Sequence, residues 1–227
     1  RFPELSTILA AIEARLRPQA NRGRVLITAG RTEESIDPVR YISNRSSGKT
    51  AVALAESFRD AGFAVTLVHG PMEAAIPADC QAVAVRSALQ MHHAVMEHKN
   101  DCVALVHCAA VADYRPAHAS DSKIKDSRAQ LTLELEPNPN ILRDSVASRP
   151  QGQIIVGFAL ETDQAVEHAQ AKLARSGADL IVVNTPVRTN SGFGLDQVEF
   201  ALIDQSTCNA ALILAPKAAL AAGVVQF

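Results

Sequence analysis

Apolar and polar positions run along this chain in blocks of two different periods. Continuous apolar runs at Arg24 to Thr28, Ala64 to Val68, Gln81 to Val85, Cys102 to His107, Ile154 to Ala159 and Asp179 to Asn184 read as strands. Stretches with apolar residues at helical spacing separate them. The helix after the first strand runs to Gly62, with Ala51, Leu54, Ala55 and Phe58 on one face and Glu56, Arg59 and Asp60 on the other. Ser46 or Ser47 is placed to cap it. Ser87 to Lys99 and Thr162 to Ser176 form further helices, and Leu5 to Leu16 forms one ahead of the first strand. Strands that are apolar throughout suit a sheet covered on both faces. The order β-α-β-β-α-β therefore predicts an α/β, Rossmann-like three-layer fold with a mostly parallel central sheet.

The second half is less regular. Residues 109–129 read as a long polar loop, a length more often functional than incidental. Gln130 to Glu136 alternates apolar and polar and predicts a half-exposed strand, and Asn138-Pro139-Asn140 opens a short helix. Val198 to Asp204 and Ala210 to Leu214 predict an antiparallel hairpin near the C-terminus, with a last helix beginning after it. There is no internal repeat or low-complexity linker. Residues 21–227 thus read as a single nucleotide-binding domain, and residues 1–20 as an N-terminal helix or connector.

Composition narrows the partners. The chain has 227 residues, 48% hydrophobic and 20% charged, enough for a sizeable core. A net charge of −2 gives no footprint for nucleic acid or an anionic membrane surface. The absence of Trp weakens any base-stacking platform, and no segment approaches the ~20 apolar residues of a membrane span. Cys80, Cys102, Cys108 and Cys208 form no C-x-x-C pair, so reduced thiols and a cytoplasmic setting are expected. The histidines lack metal-ligand spacing, and no protein-held metal is assigned.

The candidate chemistry lies where the first strand meets its helix. The loop ends in Asn44-Arg45-Ser46-Ser47-Gly48-Lys49, and small hydroxyls, a glycine and a cation at a helix start suit an anion. A P-loop is one reading, because residues 43–50 miss the G-x-x-x-x-G-K-S/T pattern only at Ser43. However, about fifteen residues separate them from the strand, against a usual βα loop of ~2–6. A dinucleotide site is a second, but no G-x-G-x-x-G follows the strand, and Tyr41 and Tyr114 are not followed by a lysine four residues on. The third is a split cradle, in which Gly30 and the Ser46–Gly48 turn hold a nucleotide triphosphate from two sides. Taken singly, each piece also fits an ordinary turn or cap.

Several separate blocks together are more specific. ITAG-x-T-x-E-x-IDPVRYISN-x-SSGK from residue 27, Cys108-Ala109-Ala110-Val111-Ala112-Asp113-Tyr114-Arg115-Pro116 with Lys123-Ile124-Lys125, Asn138-Pro139-Asn140-Ile141, and Val156-Gly157-Phe158-Ala159-Leu160-Glu161-Thr162 follow in order. They closely resemble the phosphopantothenate–cysteine ligase family, in bacteria often the C-terminal half of a bifunctional coenzyme A biosynthesis protein. The resemblance implies a ligase that joins 4′-phosphopantothenate to L-cysteine through an acyl-nucleotide, with CTP or ATP as co-substrate and Mg²⁺ accompanying it. It also implies a homodimer, and a phosphopantothenoylcysteine decarboxylase, fused or separate, as partner.

By the same resemblance Lys123 and Asn44 are catalytic. Gly30, Ser46, Ser47, Gly48, Ala109, Asp113, Pro139, Asn140, Ile141, Phe158, Lys172 and Asn184 bind nucleotide. Arg40, with Asn44, Ala109, Ala110 and Asp113, binds substrate, Arg40 reaching across the dimer; read locally, Arg40 is an ion-pair partner for Asp37. Attack of one anion on another needs charge neutralisation and positioning rather than a strong base, which these residue types supply. Thr50-Ala51 stand where the family usually has glycine, Asp126 follows Lys125, and Ser176 replaces a basic residue one turn after Lys172. These departures keep open a repurposed or non-catalytic nucleotide-binding homologue. An NAD(P)-dependent reductase is the remaining alternative.

Overall fold

The computed structural model describes residues 22–125, 130–186, 195–207 and 210–227. The expected Leu5 to Leu16 helix and Cys208 lie outside them. Eight strands form one sheet: β1 (Arg24–Ala29), β4 (Ala64–His69), β5 (Gln81–Ala84), β6 (Ala104–His107), β9 (Ile154–Leu160), β10 (Leu180–Thr185), β11 (Gln197–Ile203) and β12 (Ile213–Pro216). Their order is β12-β11-β10-β9-β6-β1-β4-β5. Pairing is parallel from β5 to β10 and antiparallel from β10 to β12. The mostly parallel sheet and the antiparallel C-terminal hairpin are as the sequence predicts.

The central apolar strands β1, β4, β6, β9 and β10 are buried on both faces, as their composition requires, whereas the edge strands β5 and β12 are largely exposed. Val25, Ile27, Val106 and Val182 belong to one core with Leu54 and Phe58 of α1 (Lys49–Asp60) and Leu220 and Val224 of α5 (Lys217–Gln226). Leu26, Leu105, Ile155 and Ile181 belong to the other. There they join Met91 and Val95 of α2 (Ala88–His98), Ile141 of α3 (Ile141–Ala147), and Ala169 and Leu173 of α4 (Ala165–Ser176). Helices on both faces give the three layers.

Local chemistry sets the helix starts. Ser87 closes a reciprocal capping box with Gln90 at the start of α2. Asn140 accepts from the Arg143 amide to cap α3. For α1 the expected serine cap is corrected: the N-cap is Gly48, left-handed at φ 79°, with no side-chain cap. The turn is held instead through its backbone, the Ser47 carbonyl accepting from the Ala74 amide and the Ser46 carbonyl from Arg31.

Two hairpins were not foreseen at their observed bounds. β2 (Glu33–Ser35) pairs with β3 (Tyr41–Ser43) inside the stretch read as loop, turning where Asp37 Oδ1 accepts from the Val39 and Arg40 amides. β7 (Tyr114–Pro116) pairs with β8 (Leu135–Pro137). The alternating run Gln130 to Glu136 is therefore a strand only at its end. β7 offers three residues to pair with, so the apolar side chains of Leu131 and Leu133 stay exposed.

Register places the site. Thr28 pairs with His107 and Val68, and His107 with Gly157. Gly30, Cys108 and Phe158 thus lie together at the carboxyl rim, beside β1 and β6. The chain leaves β1 toward β4 and leaves β6 toward β9, so this is the point where the winding reverses.

Candidate active site

The rim is tied before any side chain contributes. Beyond β1 the pairing with β6 continues through a bridge between Arg31 and Ala110, with the Ala110 amide donating to the Gly30 carbonyl at 2.9 Å. The Ala109 amide donates to Thr28 Oγ1 and the Ala112 amide to Thr32 Oγ1. Gly30 has φ 73°, and a Cβ there would lie 2.8 Å from the carbonyl oxygens of Gly70 and Pro71. Only glycine fits that turn without strain. At Gly48 an added Cβ would meet Met72 Sδ at 2.5 Å, so both arms of the expected cradle carry glycine for a steric reason.

Two hollows open on this rim. The smaller, ≈ 170 Å³, is lined by Gly30, the Ser46–Gly48 turn and Lys49 on one side, and by Asn184 and Lys217 on the other. The larger, ≈ 790 Å³, is lined by Asn44, Asp113, the Asn138–Ile141 turn and Lys172. That volume falls within the ~300–1,000 Å³ usual for small-molecule sites. Arg45, Ala109, Ala110, Phe158 and Leu160 line both. The structure therefore gathers Gly30, Ser46, Ser47, Gly48 and Asn184 in one hollow. It gathers Asn44, Asp113, Pro139, Asn140, Ile141 and Lys172 in the other, with Ala109, Ala110 and Phe158 between.

Hydrogen bonds fix several of these groups. Asn44 Nδ2 donates to the Val111 carbonyl at 3.0 Å, and the residue lines the larger hollow. Asn138 Nδ2 donates to the Ala112 carbonyl at 2.8 Å and its amide to the Asp113 carbonyl, binding the two walls together. Lys172 Nζ donates to the Phe158 carbonyl at 2.7 Å. Burial pushes the Lys172 ammonium below its ordinary value, while the Glu161 carboxylate opposes that shift.

Two expected residues stand elsewhere. Arg40 pairs with the Asp37 carboxylate and donates to the Ile124 carbonyl at 2.8 Å, lining neither hollow. The local ion pair is therefore what a single chain shows. The Arg40 guanidinium holds the Asp37 carboxyl well below the usual carboxylate range. Lys123 is exposed and also lines neither hollow. The backbone beside it is anchored, because the Ile124 amide donates to Asp37 Oδ2 at 3.1 Å. Lys123, expected as a mobile cation that closes over the phosphates, thus stands beside the β2–β3 turn in this structure. Asp126 lies outside the described residues, while Ala51 and Ser176 each line a hollow.

The sequence reading missed His107 and Lys217. His107 lines the larger hollow, and its Nε2 is enclosed with no hydrogen-bond partner among the described residues. Burial and then the Lys172 charge push its imidazole down to about 4. As the last residue of an apolar strand it carried no spacing signal. Lys217 reaches the smaller hollow from 169 positions beyond Gly48, through the packing of α5 on α1. Cys108 lines the same hollow, its thiol pushed up to about 12 by burial and so inert as a thiolate. Among the described residues no group of three or more His, Cys, Asp or Glu is placed to hold a metal ion. No helix among them is long and apolar enough to cross a membrane.

Known proteins are similar to this chain in sequence and fold. Residues 20–227 match the family described as DNA/pantothenate metabolism flavoprotein C-terminal domain. The coenzyme A biosynthesis bifunctional protein CoaBC of Vibrio cholerae serotype O1 is 41% identical over 205 residues, covering 89% of this chain and 51% of that protein. The chain spans about half the length of the curated relatives it matches. The crystal structure of a CoaBC C-terminal domain superposes with a TM-score of 0.74 at 32% identity, covering 92% of this chain and 94% of that one. A Cab2 H337A mutant in complex with phosphopantothenate-cysteine shares the fold, with a TM-score of 0.72 at 18% identity, covering all of this chain and 94% of its own. Motifs, winding and these matches agree that the chain belongs to the DNA/pantothenate metabolism flavoprotein C-terminal domain family, the phosphopantothenate–cysteine ligase family its motifs resemble.

Proposed function

We propose that this chain carries the ligase step of coenzyme A biosynthesis. It joins 4′-phosphopantothenate and L-cysteine, with CTP or ATP as the activating nucleotide. The observation that supports this most is the shared rim: the Gly30 turn and the Ser46–Gly48 turn border one hollow, and the Ala109–Ala110 wall joins it to a second large enough for an organic substrate. In this reading the backbone amides and hydroxyls of Ser46, Ser47 and Gly48 hold phosphate oxygens. Asn44 orients the pantothenate carboxylate toward the α-phosphate, and Lys172 with the Asn138–Ile141 turn bounds the nucleoside. Mg²⁺, carried on the triphosphate, would supply further neutralisation of charge.

The carboxylate attacks the α-phosphorus and pyrophosphate leaves. The cysteine amine then attacks the acyl carbon, the nucleoside monophosphate leaves, and the amine proton passes to solvent. For Lys123 to neutralise charge in either step, its segment must leave Asp37 and Arg40. Release of pyrophosphate that requires phosphopantothenate, compared with CTP and with ATP, tests the assignment. Nucleotide binding without such release would sink it and favour the non-catalytic homologue, the reading that the position of Lys123 supports. Lys123→Ala is expected to slow ligation at least about a hundredfold with an unchanged melting temperature, and equal rates would remove Lys123 from the mechanism.

We also propose a homodimer, supported by exposed Tyr41 and Val39 on one small hairpin and Tyr114 and Leu135 on the other. A phosphopantothenoylcysteine decarboxylase, fused or separate, is the proposed partner. It follows from the bifunctional name of relatives about twice as long.

A further inference from the structure

We propose that Lys49 and Lys217 form a two-lysine clamp for the terminal phosphates of the nucleotide, and that Asp196 is the internal anion those phosphates displace. The inference rests on the nucleotide reading above. It adds the groups that would grip the polyphosphate tail and the contact that resists its entry.

Lys49 opens α1 directly after the Ser46–Gly48 turn, Lys217 opens α5, and both line the smaller hollow. One dipeptide is held by both. Lys49 Nζ donates to Asp196 Oδ1 at 2.9 Å. The Lys217 amide donates to the Asp196 carbonyl at 2.9 Å, and Lys217 Nζ donates to the Leu195 carbonyl. The Lys217 residue is only 8% exposed, and among the described residues it forms no ion pair with a carboxylate. Burial weakens its hold on the proton, and the neighbouring Lys49 charge adds to that. The Asp196 carboxylate opposes that shift only in part, and an anion delivered into the hollow offsets the cost of the buried ammonium.

The Lys49–Asp196 pair is the opposite case. The Asp196 side chain is 90% exposed, so solvent screens the pair and it stabilises little. Among the described residues, two lysines and one carboxylate meet here, a cationic balance. A pyrophosphoryl group brings several charged oxygens and stronger, charge-assisted bonds, so it wins the exchange. When pyrophosphate leaves, Asp196 returns to Lys49, which keeps the product from being trapped.

The test sets two substitutions with opposite expected signs against each other. CTP and inorganic pyrophosphate are titrated by calorimetry into the chain and into D196N, K217Q and K217R, with melting temperatures recorded in parallel. D196N is expected to tighten both ligands about two- to fivefold, because it removes a competing anion. K217Q keeps a donor for the Leu195 carbonyl but loses the charge, and is expected to weaken both about tenfold, with K217R restoring most of the loss. Unchanged or weaker binding in D196N overturns the displacement. A K217Q protein that melts earlier yet binds equally well shows Lys217 to be purely structural. If these affinities respond as expected while phosphopantothenate-dependent turnover is absent, the clamp stands and the ligase assignment falls. If turnover is present and the affinities do not respond, the clamp alone falls.

Discussion

Burial decides how His107 titrates, and that gives the chain a measurable acid sensitivity. In the unfolded chain the imidazole takes a proton near its ordinary 6.5, whereas in the folded protein it stays neutral down to about 4. Between those values the unfolded chain binds more protons, so stability falls as pH drops through the window. Urea unfolding at pH 7 and pH 5 is expected to show a loss of about 2 kcal/mol from this residue, and His107→Phe to remove that part of the slope. Lys172 acts in the alkaline range. Its folded-state value lies below 10.5, so the unfolded chain again binds more protons there and the residue's contribution rises with pH. At Gly30, alanine meets both a left-handed φ and two carbonyl oxygens. Gly30→Ala is expected to cost about 2–4 kcal/mol in thermal unfolding. The Gly30 turn was legible because turn chemistry is local, whereas Asn44 was marked only by the family resemblance. His107 and Lys217 were not, because their roles come from what the sheet and α5 bring beside them.

At the scale of elements, the periodic segments among the described residues were read correctly and the three-residue strands were not. The faces of α1 are as expected, with Ala51, Leu54, Ala55 and Phe58 buried, because twelve residues carry several helical repeats. The three-residue strands β2, β3, β7 and β8 are shorter than any period that could announce them. They exist because Asp37 and the Arg115–Glu136 pair, at 2.7 Å, organise them. The α1 start was misread for a related reason: a serine cap is the commoner device, but Met72 packs where a side chain at position 48 would go. Asn140 was read as opening α3 and does so. With seven residues α3 depends heavily on that cap, and Asn140→Ala is expected to lower stability by about 1 kcal/mol in denaturant unfolding.

For the whole molecule, the alternation of apolar runs and helices was enough to give the layers and the mostly parallel sheet, since burial on both faces leaves its mark on each central strand. The sharing of two hollows by one rim was not legible, because it depends on strand order, which places β6 beside β1 across 75 residues of chain. If the two small hairpins form a protomer contact, Leu135→Asp is expected to halve the mass seen by sedimentation; an unchanged mass would exclude that face. Ala109 and Ala110 stand with Arg45, Phe158 and Leu160 at the junction of the hollows, so the space between them is bordered by two alanines, an aromatic ring, a leucine and an arginine. A leucine at position 110 would partition it. Each chamber would still admit its own guest, yet the guests would no longer meet, and occupancy would persist after the reaction had been lost.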